Sequence, residues 1–283
     1  MTHASPSVLV LGGTGRTGAL VAAAVAERGV AVWTASRSGS DVIFDWDDPT
    51  SYPGALAGVD RVYLVPPVMR MRYADRVELF LDDAVEAGVG HVTLLSVFDA
   101  DRAPRAIDLA AAEEAVTRRD SLTHTILRPA WVMQNFTDDH LPVRDGALVV
   151  PGRGAEAFVD AADIAAVAVE TLLSPGTHAG AVYPLTGPRA LTFDEVAATI
   201  SEVGGRHVAH LDIDQEAWIA AAVAAGVPAD YAVMLRWLTG AIVDGGGAAP
   251  TPDVERILGR PATDFESFAR RHAGAWAWVE ELR

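Results

Sequence analysis

An apolar run at residues 8–11 passes directly into Gly12-Gly13-Thr14-Gly15-Arg16-Thr17-Gly18, and from there into a helical stretch at residues 19–28. No other feature limits the possible folds of this chain as tightly. Four consecutive apolar residues suit a strand buried on both faces, which is the environment of a parallel sheet covered by helices. Gly12 lets the chain turn sharply out of that strand, Gly15 lets backbone approach a pyrophosphate, and Gly18 lets the new helix pack closely on the sheet. Phosphate oxygens placed there meet backbone N–H groups and the positive end of the helix dipole. The candidate cofactor contacts of this turn are therefore Gly12, Thr14, Gly15, Arg16, Thr17 and Gly18. A turn that keeps glycines for geometry alone is the alternative, and the strand–turn–helix context disfavours it.

The residues that follow continue the alternation. Short β-branched runs at 30–34, 42–44, 61–65, 91–95 and 124–127 read as strands, and 73–87 and 107–118 as helices between them. Alternation of this kind predicts an α/β fold, a Rossmann doubly wound parallel sheet. Beyond residue 130 the pattern is less regular. Short strands are expected at 148–150, 158–159 and 182–185, helices at 162–173, 193–203 and 215–225, a loop at Gly245–Gly247, and a last amphipathic helix at 264–278. The expected organisation is interleaved: residues 1–130 and 160–187 form the dinucleotide-binding domain, and 131–159 with 188–283 a smaller C-terminal α/β substrate lobe. A chain of 283 residues, half of them hydrophobic, is long enough for both.

Cofactor choice is expected at the end of the second strand. An NAD-binding site usually carries Asp or Glu there to hold the ribose hydroxyls. This chain has Ala35-Ser36-Arg37-Ser38 instead. Arg37 can pair with a 2′-phosphate, and Ser36 can donate a hydrogen bond to it, whereas a carboxylate would repel it. The expected cofactor is thus NADP(H), with a solvated surface Arg37 as the alternative. Asp45 either accepts from the adenine amino group or caps the next helix, and Pro66 is expected beside the nicotinamide ribose.

Composition removes several chemistries. There is no cysteine, so disulfides, thiolate nucleophiles and cysteine-bound zinc are excluded. All 22 basic residues are arginine, so no lysine can form a Schiff base or assist an acid. A net charge of -16 argues against nucleic acid or an anionic membrane as partner, and the expected partner is a small-molecule substrate. No apolar run approaches the roughly 18 residues needed to span a bilayer, and residues 1–6 carry no basic leader. A cytoplasmic location is expected, with monomer or homodimer left open. His207 and His210 lack a third ligand at suitable spacing, so no metal site is expected.

The turn and Arg37 are joined by further motifs. These are Tyr63-Leu64-Val65-Pro66-Pro67, Leu127-Arg128-Pro129, Met133-Gln134-Asn135-Phe136, Val159-Asp160-Ala161-Ala162-Asp163-Ile164-Ala165 and Leu185-Thr186-Gly187-Pro188. In this order the chain resembles the NmrA-like branch of the atypical short-chain dehydrogenases. Within that branch it is most similar to quinone oxidoreductases and ergot-alkaloid-type iminium reductases. The resemblance implies an NADPH cleft between a Rossmann domain and a small lobe, with residues 131–136 bordering the substrate. Short-chain dehydrogenases normally carry a Tyr-x-x-x-Lys pair on the helix after the fifth strand, where the Tyr protonates the product oxygen. Leu109 and Glu113 stand at those positions here.

Hydride transfer needs only a positioned nicotinamide and an electrophile. An iminium ion, a quinone or a conjugated enone can take hydride without the missing pair, so the expected activity is an NADPH-dependent reductase of such an acceptor, in secondary metabolism. Ser96, after the fifth strand, is the one catalytic candidate, with strand-end capping as its alternative. Tyr73, Trp131, Met133, Asn135 and Phe136 are the candidate substrate contacts. Two other readings stay open: a non-catalytic NADP(H)-sensing regulator, and a non-redox isomerase or cyclase using Asp108 with His140.

Overall fold

The computed structural model describes residues 6–138 and 140–276, which fall into two compact units. The first comprises residues 6–129 with Ala161–Leu185 and Arg256–Gly259. Its sheet has seven strands: β1 (Ser7–Leu11), β2 (Ala31–Ser36), β3 (Val42–Ile43), β4 (Arg61–Leu64), β5 (His91–Leu95), β6 (Thr123–Pro129) and an edge strand, Ala181–Leu185. The spatial order is β3-β2-β1-β4-β5-β6 and then the edge strand, with every pairing parallel. This is the doubly wound Rossmann arrangement, α/β as the alternation predicts. Val8, Leu9, Val10 and Leu11 are all fully buried, the condition a strand covered on both faces imposes.

The helices follow from the same periodicity. Helix α1 (Gly18–Glu27) buries Gly18, Val21, Ala22 and Val25 and turns its other residues outward. The helix Ala74–Glu86 buries Val77, Phe80, Leu81 and Ala84. Phe80 meets Phe44, Trp46 and Tyr52 edge-on, closing one face of the sheet beyond β3. The helix Leu109–Thr117 buries Leu109, Ala112 and Val116, and on that same face it buries Glu113.

The second unit comprises Ala130–Asp160, Thr186–Glu255 and residues 260–276. Short strands Val143–Arg144, Ala147–Val149 and Ala209–Leu211 form one sheet, and Ala155–Glu156 with Leu191–Thr192 a second. The strand expected at 158–159 is instead at Ala155–Glu156, and Val159 makes only a single bridge, with Val132. The helix Phe193–Gly204 opens on a reciprocal capping box between Thr192 and Glu195. The periodicity gives no sign of the helices Ala232–Val243 and Asp253–Leu258. The helix expected at 264–278 runs over Phe265–Arg271, followed by a 3₁₀ turn at Ala273–Trp276; residues 277 and 278 lie outside the described residues. Among the described residues no helix is long and apolar enough to cross a membrane.

Candidate cofactor site and the cluster beyond the fifth strand

In a doubly wound sheet, ligands bind at the carboxyl edge where strand order reverses. Here that point lies between β1 and β4. The glycine turn leaves β1, and Val65-Pro66-Pro67 leaves β4 beside it. A Cβ placed on Gly12 would lie 3.6 Å from that of Val65. Pro66 is half-buried there. A depression at the opposite edge, lined by Asp60, Arg61, Gly90, His91 and Thr123, faces the amino ends of the strands.

Each glycine of the turn has its own constraint. Gly12 has φ +64°, a left-handed conformation. A Cβ on Gly13 would fall 2.5 Å from that of Thr34, and one on Gly18 would fall 2.2 Å from the Gly12 carbonyl oxygen. Gly15 donates its N–H to that same carbonyl at 2.8 Å. The turn fits a pyrophosphate on three counts. Thr17 precedes α1 without a side-chain cap, and no acidic residue lies in the first turn. The backbone N–H groups of Thr14, Thr17 and Gly18 have no partner among the described residues. Thr14, Gly15 and Arg16 are exposed. The Thr17 hydroxyl faces inward instead and accepts from Tyr63 Oη at 3.2 Å.

The loop after β2 lies against this turn, since a Cβ on Gly39 would meet Thr14 at 3.8 Å. Arg37 is exposed and its guanidinium has no partner among the described residues. Ser36 is a correction: its hydroxyl donates to the Ser38 carbonyl at 2.6 Å, so it holds the loop's shape rather than offering a proton to a phosphate. Asp41, the nearest acid in sequence, is turned onto Thr34. The backbone N–H and the hydroxyl of Thr34 hold its carboxyl below the usual range. Asp45 closes a local turn by accepting from the Asp47 N–H at 3.0 Å, and the following 3₁₀ turn is capped by Asp48, not Asp45.

Beyond β5 the chain builds a cluster of charges. Ser96 is 6% exposed, and its hydroxyl donates to Glu113 Oε1 at 2.5 Å. Glu113 receives Arg128 in a fork, Nε to Oε1 at 2.9 Å and Nη2 to Oε2 at 2.5 Å. Arg128 Nη1 reaches Asp101 at 2.7 Å. The bond to Glu113, with the charges of Glu113, Asp101 and Asp99, pushes the Arg128 guanidinium above its ordinary pKa. Glu113 thus answers the question posed by the missing lysine: the position holds a buried carboxylate paired across to β6. Glu113 and Arg128 stand fifteen positions apart, and nothing in that spacing signals the pair.

Tyr73 and Asp108 require correction. Tyr73 is 3% exposed and belongs to the core of the first unit, not to an open substrate wall. The Asp108 carboxylate accepts from the N–H groups of Tyr73 and Ala74 at 2.6 and 2.9 Å and pairs with Arg72 at 3.0 Å. It caps the helix Ala74–Glu86 from another element, which leaves it no role as a general base. His140 is bonded to Asp138 at 2.8 Å.

In the second unit, Met133 and Phe136 are each 1% exposed and lie in its core, against Phe158, Phe193 and Phe265. Aromatic spacing there signals packing, so these two are corrected from substrate contacts to core. Trp131 is half-buried with its ring edge-on to Phe193, and Asn135 is half-buried. Among the described residues no group of histidines and acids is placed to hold a metal ion.

Sheet order and the open turn together define a dinucleotide-binding protein of the Rossmann class. The model of the NmrA-like family matches residues 4–239, and the chain belongs to that family. It is 33% identical to the uncharacterized oxidoreductase YesF of Bacillus subtilis (strain 168), over 96% of this chain and 98% of that protein. It is 32% identical to an NAD(P)H azoreductase of Xenophilus azovorans, over 95% and 99% of the two chains. Among solved structures, the triphenylmethane reductase of Citrobacter sp. complexed with NADP(H) superposes with a TM-score of 0.73. Its identity is 25%, with 94% of this chain and 99% of that one covered.

Proposed function

We propose that this protein is an NADPH-dependent reductase that delivers hydride to a small organic acceptor of the iminium, quinone or conjugated-enone kind. The carrying observation is the uncapped glycine turn at the sheet's switch point, with Arg37 beside it and unpartnered among the described residues. Gly12, Thr14, Gly15, Arg16, Thr17 and Gly18 would hold the pyrophosphate, Arg37 the 2′-phosphate, and Pro66 would border the nicotinamide ribose. The bound cofactor supplies the hydride. The chain's own part is to fix the phosphates with backbone N–H groups and to present the acceptor, without a tyrosine to protonate it. Relatives described as an NAD(P)H azoreductase and an NADP(H)-bound triphenylmethane reductase support this reading. Trp131 and Asn135, both half-buried, are the candidate acceptor contacts.

The test is a titration of the purified protein with NADPH and NADH, followed by nicotinamide absorbance with cyclic iminium ions, quinones and enones. Preferential NADPH binding and turnover of at least one class are expected. NADPH binding with no turnover on any acceptor would instead support the non-catalytic sensor.

A further inference from the structure

We propose that Ser96 is a hydrogen-bond acceptor fixed by the Glu113–Arg128 pair, and that this polarity selects cationic N–H acceptors over neutral carbonyl ones. The inference rests on the reductase reading above and refines the acceptor it takes. Ser96 stands at the carboxyl end of β5, two strands from β1 on the same edge as the glycine turn. Neighbouring strands lie about 4.8 Å apart, so that is roughly 10 Å sideways. The loop carrying Arg37 leaves β2, on the other side of β1. A dinucleotide with its pyrophosphate at the turn and its 2′-phosphate at Arg37 therefore directs its nicotinamide toward β4 and β5.

A hydroxyl has one proton to give. Ser96 gives it to Glu113, whose other oxygen is held by Arg128, so the proton is committed while the Ser96 Oγ lone pairs remain to accept. The usual tyrosine–lysine arrangement has the opposite sense, a donor backed by a cation. The charges behind Ser96 reinforce the difference. Glu113 and Asp101 surround the single Arg128, and Asp99 is balanced by Arg102, which leaves one net negative charge.

An iminium N–H can donate to Ser96 Oγ, and its positive charge is favoured by that field. On reduction a C–H bond forms at the iminium carbon as the C–H bond of the reduced nicotinamide breaks, and the C=N π pair returns to nitrogen. The acceptor gains two electrons, NADPH is oxidised, and the protein exchanges no proton. A quinone would develop negative charge on oxygen with no proton at Ser96 to meet it. Ser96 touches the acceptor in this scheme, and Glu113 and Arg128 act through it as positioning residues.

The experiment compares wild type, Ser96→Ala and Ser96→Thr. Glu113→Gln strands Arg128 and risks misfolding, whereas Ser96→Ala leaves the ion pair whole. Two readouts are taken: kcat and KM for an N–H cyclic iminium and for a neutral naphthoquinone, and equilibrium binding of the same iminium to the NADP⁺-loaded protein. Losing one charge-assisted hydrogen bond predicts about a 10-fold weaker iminium Kd and a similar fall in iminium kcat/KM for Ser96→Ala. Naphthoquinone kcat/KM should fall several-fold less than the iminium value, and Ser96→Thr should restore the iminium values. Equal losses on both acceptors, or an unchanged iminium Kd, overturn the proposal. If the wild type reduces neither acceptor, nor any other of the panel above, the reductase reading fails and this inference fails with it. Turnover with the wrong preference overturns only the inference.

Discussion

Arg37 and His91 show how differently two single residues depend on their surroundings. Arg37 has no partner among the described residues, so its guanidinium is available to a ligand at little internal cost. Arg37→Ala should weaken NADPH binding about 10- to 100-fold and leave NADH within about 2-fold, measured by fluorescence titration. Equal losses would sink the 2′-phosphate assignment. His91 is the opposite case, 1% exposed and bonded to Thr123 and Thr93. Burial, with the nearby Arg61 charge, depresses its pKa to about 4. The unfolded chain, with His near 6.5, therefore binds the proton first as pH falls. His91 contributes its full stability above about pH 6.5 and loses it progressively toward pH 4, about 1.4 kcal/mol per unit and about 3 kcal/mol in all. Denaturant unfolding at pH 7.5 and 4.5 should show a smaller difference for His91→Gln than for wild type.

Elements are held together here by contacts that local propensity does not encode. The helix Ala74–Glu86 has Tyr73 at its N-cap, a residue that cannot cap, and takes its cap from Asp108, thirty-five positions on. The glycine turn is a partial counterexample: the constraints from the Gly12 φ and from the Gly18 approach to the Gly12 carbonyl are local and steric, while Gly13 is crowded by Thr34 of β2. Gly18→Ala would force a Cβ to within 2.2 Å of the Gly12 carbonyl oxygen, both parts of one rigid turn. It should cost several-fold in NADPH affinity and about 2–4 kcal/mol in stability. Gly29→Ala, at φ +70° with nothing within 4 Å, serves as the control. It should cost about 1 kcal/mol and leave NADPH affinity unchanged. Similar NADPH losses in both variants would mean that α1 as a whole, rather than its close approach to the turn, governs binding.

At the scale of the whole molecule, the charge of -16 is the dominant electrostatic fact. Its ion pairs are mostly exposed, such as Arg236–Glu216 and Arg153–Asp194, and contribute little each. Self-repulsion of the excess carboxylates therefore outweighs them. Raising NaCl from 20 to 500 mM should raise the melting temperature by about 3 °C or more, since salt screens the repulsion over a shorter Debye length. A fall would show that the surface pairs dominate instead. Phe136, Phe158, Phe193, Phe265 and Phe268 form the core of the second unit, so that unit is held by aromatic packing that salt leaves untouched.

What the sequence determines by itself is what depends on neighbours along the chain. Apolar residues 8–11, the glycines after them and the alternation through residue 129 specify the parallel sheet, because strand burial and turn geometry are set within a few residues. The absence of lysine rules out the usual proton-donor pair on the same terms. Tertiary structure decided everything that depends on distant partners. It placed Met133, Phe136 and Tyr73 in cores, where the sequence could register only that they are large and apolar. It turned Asp108 into a helix cap and committed the Ser36 hydroxyl to its own loop. It also joined Ser96, Glu113 and Arg128, one from the end of a strand, one from a helix and one from the next strand. The physical reason is the same each time. A polar group's role is set by which donor or acceptor occupies it, and only the folded chain brings those partners within hydrogen-bond distance.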